Sequence, residues 1–351
     1  MRAVVYRGRH QARWEDVPDP TCPPGSVRIE VAFNGICGTD LHEVFDGPIF
    51  IPHDAPHPLT GAQLPQILGH EFSGLVVEVG AGVSDLAIGM RVAVEPYVVC
   101  GTCASCASGR DNLCDVRGIH GLSSPGGGLS EYTVVPRRMV HVLPDEVSLE
   151  HGALVEPMSV GLHAVRRSGV TPRCKIAVHG GGPIGISLVL ALWASGVESV
   201  VVIEPSEFRR HALTGLGAAV IDPNTADVVD AVREVTGGGA DVSFDAAGAP
   251  QAFAAALAST AKGGLLTVVA THQPVTFRPN DLLLSELTIS GSNGFCGEFP
   301  LVLKLMASGA YPLDGWVDHI AGDRLDHAFE MLRRGDAIKL LIDVAAATPA
   351  P

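Results

Sequence analysis

Polar and apolar residues alternate at period two in Ser26-Val27-Arg28-Ile29-Glu30-Val31-Ala32-Phe33, the pattern of a strand with one face buried. Similar short runs occupy 72–79, 91–95, 131–135 and 139–143, and Gly or Pro punctuates nearly every gap between them. Residues 1–7 read as an edge strand. Short strands separated by turns predict a compact antiparallel barrel or sandwich over this first part of the chain.

From Lys175 the texture changes. An apolar strand over 175–179 runs through a Gly-rich turn into a helix over 186–195. Strands at 199–203, 219–222, 241–245, 265–269 and 287–292 then alternate with helices at 208–216, 227–235 and 251–259. Strict alternation predicts a doubly wound parallel sheet with its ligand at the carboxyl ends of the strands. After Phe299 the chain turns helical, and it ends in an apolar strand over 339–344. The predicted partition is one domain from 1–154 with 300–351, and a second from 155–299.

Composition fits this division. A chain of 351 residues exceeds the size at which one hydrophobic core stops growing. Its 46% apolar and 18% charged residues suit a globular enzyme, and a net charge of −14 argues against nucleic-acid or anionic-membrane partners. The most apolar run, 184–197, falls short of a membrane span and reads as a packed helix. Residues 1–7 lack a signal-peptide core, so the expected location is cytoplasmic. Eight cysteines in such a chain point to metal or catalysis rather than to disulfides.

The candidate chemistry begins at Cys37-Gly38-Thr39-Asp40-Leu41-His42, which gathers a thiol, a hydroxyl, a carboxylate and an imidazole in one short turn. Zinc takes Cys sulfur and His nitrogen, and a catalytic zinc keeps one position open. Cys37 can supply the sulfur and His70, in Gly69-His70-Glu71, the nitrogen; Asp40 can hold the second ring nitrogen of His70. Taken alone, Cys37 also reads as an ordinary buried thiol. Between them lies a long Pro-rich segment, 46–61, whose Ile49, Phe50 and Ile51 favour a packed functional loop.

Cys100, Cys103, Cys106 and Cys114 give the spacing C-x2-C-x2-C-x7-C within a lobe at 97–115. Four thiolates so close can form a closed tetrahedral site, the structural type of zinc site, holding a lobe that has little core of its own. An iron–sulfur cluster or paired disulfides remain as other readings of the same spacing.

Gly180-Gly181-Gly182-Pro183-Ile184-Gly185 stands between a predicted strand and a predicted helix, the setting a dinucleotide fingerprint requires. Glycines there allow a tight turn and close approach to a pyrophosphate at the helix N-terminus. Glu204 ends the next strand, nineteen residues past Gly185, where a carboxylate can accept both hydroxyls of an adenosine ribose. Arg209 and Arg210 follow; a guanidinium can stack on adenine while pairing with Glu204, or grip a 2′-phosphate. Glu156, in the apolar segment 154–164, needs a partner if buried, which a metal would supply; the alternative is a Glu facing the amides of its own helix start.

Taken together, these motifs resemble the zinc-dependent medium-chain dehydrogenases over essentially the whole chain. The Cys-Gly-Thr-Asp-Leu-His, Gly-His-Glu, four-Cys lobe, Glu-Pro and Gly-x-Gly-x-x-Gly stand in that family's order. The loop 46–61 and Leu68-Gly69-His70-Glu71-Phe72-Ser73-Gly74 are similar to the 2,3-butanediol branch, with sorbitol and threonine dehydrogenases beside it. Glu156 stands where ordinary alcohol dehydrogenases carry a second Cys ligand, as in the polyol and diol branch. Whether Glu156 or Glu71 reaches the metal is left open.

The resemblance implies a GroES-like β-barrel catalytic domain joined to a Rossmann NAD-binding domain, two zinc ions per chain, and a homodimer or homotetramer. It implies a catalytic zinc on Cys37, His70 and a carboxylate, NAD bound at Gly180, Gly182, Pro183, Ile184, Gly185, Glu204 and Arg209, and a proton path through the Thr39 hydroxyl, a cofactor ribose hydroxyl and His42 to water. The implied reaction is reversible oxidation of a vicinal diol to a hydroxyketone, 2,3-butanediol to acetoin. Sorbitol, another polyol or threonine is the alternative substrate. A catalytically silent nucleotide-binding relative is the non-enzyme alternative, and it predicts loss of the residues that are present here.

Overall fold

The computed structural model describes residues 1–347, and these form two compact units. The first comprises Met1–Glu156, Phe299–Gly309 and the residues from Val317 onward; the second comprises Pro157–Glu298 and Ala310–Trp316. Residues 310–316 therefore group with the second unit, although 300–351 was expected to lie wholly in the first.

The first unit is built around strand Ser26–Gly35, which pairs antiparallel with Glu71–Val79, Tyr132–Pro136 and Lys339–Asp343. Arg91–Val94 and Val140–Val142 extend the sheet on one side. On the other side Val317–Ala321 lies parallel to Lys339–Asp343, giving seven strands. Val317–Ala321 and Ala12–Asp16 were not anticipated: Val-Asp-His-Ile-Ala and Ala-Arg-Trp-Glu-Asp mix charge with apolar residues and show no clean alternation. Arg2–Tyr6 is a central strand and not an edge, lying between Ala12–Asp16 and Gln66–Ile67 in a three-stranded sheet. Its Ala3, Val4, Val5 and Tyr6 are all buried, so both faces of the strand are covered. One contiguous core holds the unit, with Val27, Ile29, Phe72, Val76, Val92 and Val135 inside it. Each such side chain contributes about 1.5–3 kcal/mol when fully buried.

The second unit is the expected doubly wound sheet. Six parallel strands run in the order Ala219–Ile221, Val200–Ile203, Ile176–His179, Ala240–Asp245, Thr260–Val268, Thr288–Gly291. The order reverses beside Ile176–His179, and that switch point is where an open parallel sheet binds ligand. Helix Pro183–Ala194 begins with Pro in its first turn, where no amide is missed, and buries Ile186 through Leu192 without interruption. Its all-round burial explains why the run looked apolar enough to raise the question of a membrane. Among the described residues no helix is long and apolar enough to cross one.

Candidate active site

The segment 37–42 folds as the first turns of helix Gly38–Asp46, longer than the short turn expected. Cys37 is its extended N-cap, and its N–H donates to Asp40 Oδ2 at 2.9 Å. The cap holds Asp40, which is fully buried, with its other oxygen 3.4 Å from His70 Nδ1. Neither Asp40 Oδ1 nor His70 Nδ1 has a well-aligned hydrogen bond, although both are buried. His70 precedes strand Glu71–Val79 and follows Gly69, whose φ is +98° and where a Cβ would stand 2.5 Å from the Leu129 amide nitrogen, so no side chain fits.

Ligand atoms of Cys37, His70 and Glu71 lie within 4.8 Å of one another. With Nδ1 turned toward Asp40, Nε2 is the His70 nitrogen left for a metal. Burial opposes a charge on His70, but Asp40 and Cys37 outweigh it and hold the ring well above its ordinary pKa. A pocket that favours positive charge beside a thiol and a carboxylate suits a divalent cation, and sulfur with nitrogen selects zinc over magnesium or calcium. Glu156, second residue of helix Val155–Ser168, is buried but is not one of the three grouped ligands. Burial first, then the charge of Glu71, pushes its carboxyl up to about 7, with His70 and Lys339 pulling the other way. Thr39 Oγ1 is 3.6 Å from Cys37 Sγ. His42, one turn on, is exposed, with Nδ1 3.5 Å from Asp46 Oδ2.

Two buried charged residues at this site escaped sequence reasoning. Lys339, 1% exposed, donates to Glu71 Oε2 and to the Ile36 carbonyl at 2.8 Å. The only trace in the sequence is a cation at the head of an apolar terminal strand. Glu43, fully buried, accepts the N–H groups of Ile49 (3.0 Å), Phe50 and Ile51 (3.2 Å). It thereby fastens the start of the long loop to the helix bearing Thr39 and His42. Ile51 is in the core, whereas Ile49 and Phe50 are half exposed, so the expected packing of all three holds for one.

The four-Cys lobe closes on itself. Cys100 Sγ lies 3.9 Å from Cys106 Sγ and 3.6 Å from Cys114 Sγ, and the ligand atoms of all four lie within 4.8 Å of one another. A tetrahedron with metal–sulfur bonds of about 2.3 Å has edges of about 3.8 Å. Backbone N–H groups of Thr102 (3.5 Å) and Cys103 (3.3 Å) point at Cys100 Sγ, and that of Cys106 (3.5 Å) at Cys103 Sγ. These amides bring the Cys100 thiol down to about 6 and lower that of Cys103. Donors aimed at sulfur favour thiolate, the form that binds metal.

In the second unit the fingerprint loop has the geometry its glycines require. Gly180 has φ +104°, and a Cβ on it would stand 2.8 Å from the Ala247 amide; a Cβ on Gly185 would strike the Gly180 carbonyl. Gly182 caps helix Pro183–Ala194, and Ile184 follows in its first turn. Glu204, 3% exposed, accepts the Gly181 N–H at 2.7 Å and the Ser206 N–H at 2.8 Å. The expected guanidinium pairing with this carboxylate is not what holds it. Arg210 instead donates to the carbonyls of Glu204 (3.0 Å) and Pro205 (2.7 Å) and pairs with Asp222 at 3.0 Å. Arg209 stays beside Gly182, with a buried, unpartnered Nε.

Residues 23–145 match the family model of the alcohol dehydrogenase GroES-like domain, and residues 183–308 that of the zinc-binding dehydrogenases. The chain belongs to the zinc-dependent medium-chain dehydrogenase family. It is 40% identical over 347 residues to the (R,R)-butanediol dehydrogenase of Bacillus subtilis (strain 168), covering 97% of this chain and 99% of that one. The X-ray structure of 2R,3R-butanediol dehydrogenase from Bacillus subtilis superposes with a TM-score of 0.92 over the same shares of the two chains. A sorbitol dehydrogenase of Bacillus subtilis (strain 168) is 33% identical over 317 residues, covering 88% of this chain and 86% of that one.

Proposed function

We propose that this chain is a zinc- and NAD-dependent dehydrogenase of vicinal diols that interconverts 2,3-butanediol and acetoin. The observation that carries the proposal is the Cys37–His70–Glu71 donor set, with His70 and Glu71 buried, in a chain 40% identical over 347 residues to an (R,R)-butanediol dehydrogenase. Cys37, His70 and a carboxylate would hold the catalytic zinc, with Asp40 orienting His70 from behind. Glu71 is the carboxylate grouped with them; Glu156, close enough for the two charges to interact, would act through water or the substrate's second hydroxyl. Zinc bound there would supply Lewis acidity toward an alcohol oxygen, and NAD the hydride acceptor.

The chain's own residues account for the rest. Thr39 Oγ1 beside Cys37 would accept the alcohol proton as it gives up its own, and His42, exposed one helical turn away, would release a proton to solvent. Residues three apart on a helix share a face, so the half-buried Thr39 and the exposed His42 lie on the same side of this helix. Glu43 keeps the loop with Ile49 and Phe50 against this helix, giving the substrate side an apolar wall. Gly180, Gly182, Pro183, Ile184 and Gly185 would cradle the pyrophosphate, Glu204 would accept the ribose hydroxyls, and Arg209 would flank the adenosine. Cys100, Cys103, Cys106 and Cys114 would hold a second, structural zinc. We further propose a cytoplasmic homodimer or homotetramer.

The test is NAD reduction with each stereoisomer of 2,3-butanediol, with sorbitol and with threonine, compared by kcat/KM. The expected result is a preference for one butanediol isomer over sorbitol and threonine by at least about tenfold, or 1.4 kcal/mol. A larger kcat/KM for sorbitol, the reading favoured by the sorbitol dehydrogenase similarity, would replace the diol with a polyol. No turnover with any of them would defeat both.

A further inference from the structure

The Lys339–Glu71 pair is out of place as a mere stability device. Both side chains are 1% exposed, 268 residues apart in sequence, and enclosed in the sheet of the first unit. Taking an ammonium and a carboxylate out of water costs several kcal/mol each, and a well-packed apolar pair of similar volume serves a core as well or better. Something other than stability keeps this pair where it is.

Its placement is dictated by the backbone. Gly35 stands opposite Glu71 on one neighbouring strand and opposite Leu341 on the other. Both partners run antiparallel to Ser26–Gly35, so Lys339, two residues before Leu341, reaches past the end of that strand toward Cys37. Gly35 itself has no room for a side chain: a Cβ would strike Glu71 Oε2 and stand 3.0 Å from Lys339 Cε. The Ile36 carbonyl then takes a second ammonium proton at 2.8 Å. Three strands and one missing side chain thus converge on a single contact, that of Nζ with Oε2 of Glu71. Glu71 is also one of the three residues whose ligand atoms group with Cys37 and His70.

We propose that Lys339 is a positioning residue for the metal centre: by occupying one oxygen of Glu71, it makes that carboxylate a one-oxygen ligand beside Cys37 and His70. A carboxylate free on both oxygens can bind a cation by both; one oxygen held by a fixed ammonium leaves the other to point. Coordination by Cys37, His70 and one oxygen of Glu71 would leave the fourth position to substrate or water, and a second Glu71 oxygen would raise the count to five and crowd that position. The same ammonium offsets one of the negative charges that Cys37 and Glu71 bring to the cation. This inference rests on the zinc site proposed above.

The test reads coordination and not turnover. The zinc at the Cys37 site is exchanged for cobalt, whose visible absorption falls as coordination rises from four to five or more. Subtracting the spectrum of Cys37→Ser isolates this site from any cobalt in the four-Cys lobe. The expected result is an about threefold or larger fall in molar absorption for Lys339→Met, with Lys339→Arg retaining the parent spectrum. Because Lys339 acts through Glu71, adding Lys339→Met to Glu71→Gln should change that variant's spectrum no further. Should Lys339→Met not fold, Lys339→Gln, which keeps a donor but no charge, replaces it; the double variant, having lost both charges, provides a folded reference.

A parent-like cobalt spectrum in Lys339→Met, with only its melting temperature lowered, would overturn the proposal and leave a structural ion pair. So would a spectral change that persists in the Glu71→Gln background. Correct spectra in an enzyme inert toward every diol would instead sink the substrate assignment alone.

Discussion

Glu204 is the side chain on which the proposed preference for NAD rests. Its carboxylate is fixed by the Gly181 and Ser206 amides, at 2.7 and 2.8 Å, at the end of strand Val200–Ile203. A ribose 2′-hydroxyl can donate to it, whereas a 2′-phosphate of roughly −2 charge would face a buried anion at a cost of several kcal/mol. Arg210 is committed to Asp222 and two carbonyls, so Arg209 is the guanidinium left to meet a phosphate. The expected ratio of kcat/KM for NAD over NADP is at least about a hundredfold, or 2.7 kcal/mol. Glu204→Ser should shrink it sharply through gain with NADP; a ratio near one in the unaltered enzyme would mean Glu204 faces something else. This residue was legible in the sequence because a strand, a turn and a fixed offset from three glycines define it. Lys339 and Glu43 were not, because each serves a partner that only the folded sheet or loop brings near, 268 residues away for Lys339. For Glu156 the sequence conveyed a carboxylate in an apolar segment, but not that Glu71 and Lys339 are electrostatic neighbours.

Among the elements, the four-Cys lobe depends most on chemistry and least on packing. Apart from the two-residue strand Tyr97–Val98 at its start, its secondary structure is one four-residue helix, Ala104–Ala107, and one turn of 3-10 helix, Asp111–Leu113, and the four-residue helix buries nothing. Sulfur atoms at tetrahedral spacing are what remain to hold it, so metal binding and local folding are one free energy. Metal analysis should therefore find two zinc ions per chain. Cys103→Ser should drop one of them and lower the melting temperature before it alters kcat of the surviving protein. A single zinc per chain in fully active enzyme would refute a structural ion here. The spacing of the cysteines made this lobe readable, as period-two and strand–helix alternation did for the sheets. Strand Arg2–Tyr6 was misplaced for a definite reason: its apolar run reads the same whether one edge or both are paired, and pairing to Gln66–Ile67 crosses the long loop. Helix Gly38–Asp46 looked like a turn because Gly, Thr and Asp are poor helix formers that its cap and tertiary packing override.

For the whole molecule, two buried histidines besides His70 of the metal site couple stability to pH, one in each unit. His120, 2% exposed, has Nε2 2.7 Å from Thr133 Oγ1, and burial takes its pKa down to about 4. His179, 1% exposed at the end of Ile176–His179, is brought to about 4 by burial as well. In the unfolded chain both titrate near 6.5. Between those values the unfolded state binds protons that the folded state refuses, so stability rises with pH across the window and is lost as pH falls. The contribution is fully present above about pH 7 and gone below about pH 4, with about 2 kcal/mol per histidine forfeited by pH 5. Melting temperature should therefore fall on acidification from about pH 7.5 to about pH 5, in both units over the same range. Acid also releases metal from thiolate and imidazole ligands, so the slope of the parent protein does not isolate this effect. His120→Gln and His179→Gln, measured at constant saturating zinc, do: each should flatten the pH dependence while leaving zinc content unchanged. If the double variant keeps the full slope, the acid sensitivity belongs to the metal sites, and the two histidines take up protons in the folded protein much as they do in the unfolded chain.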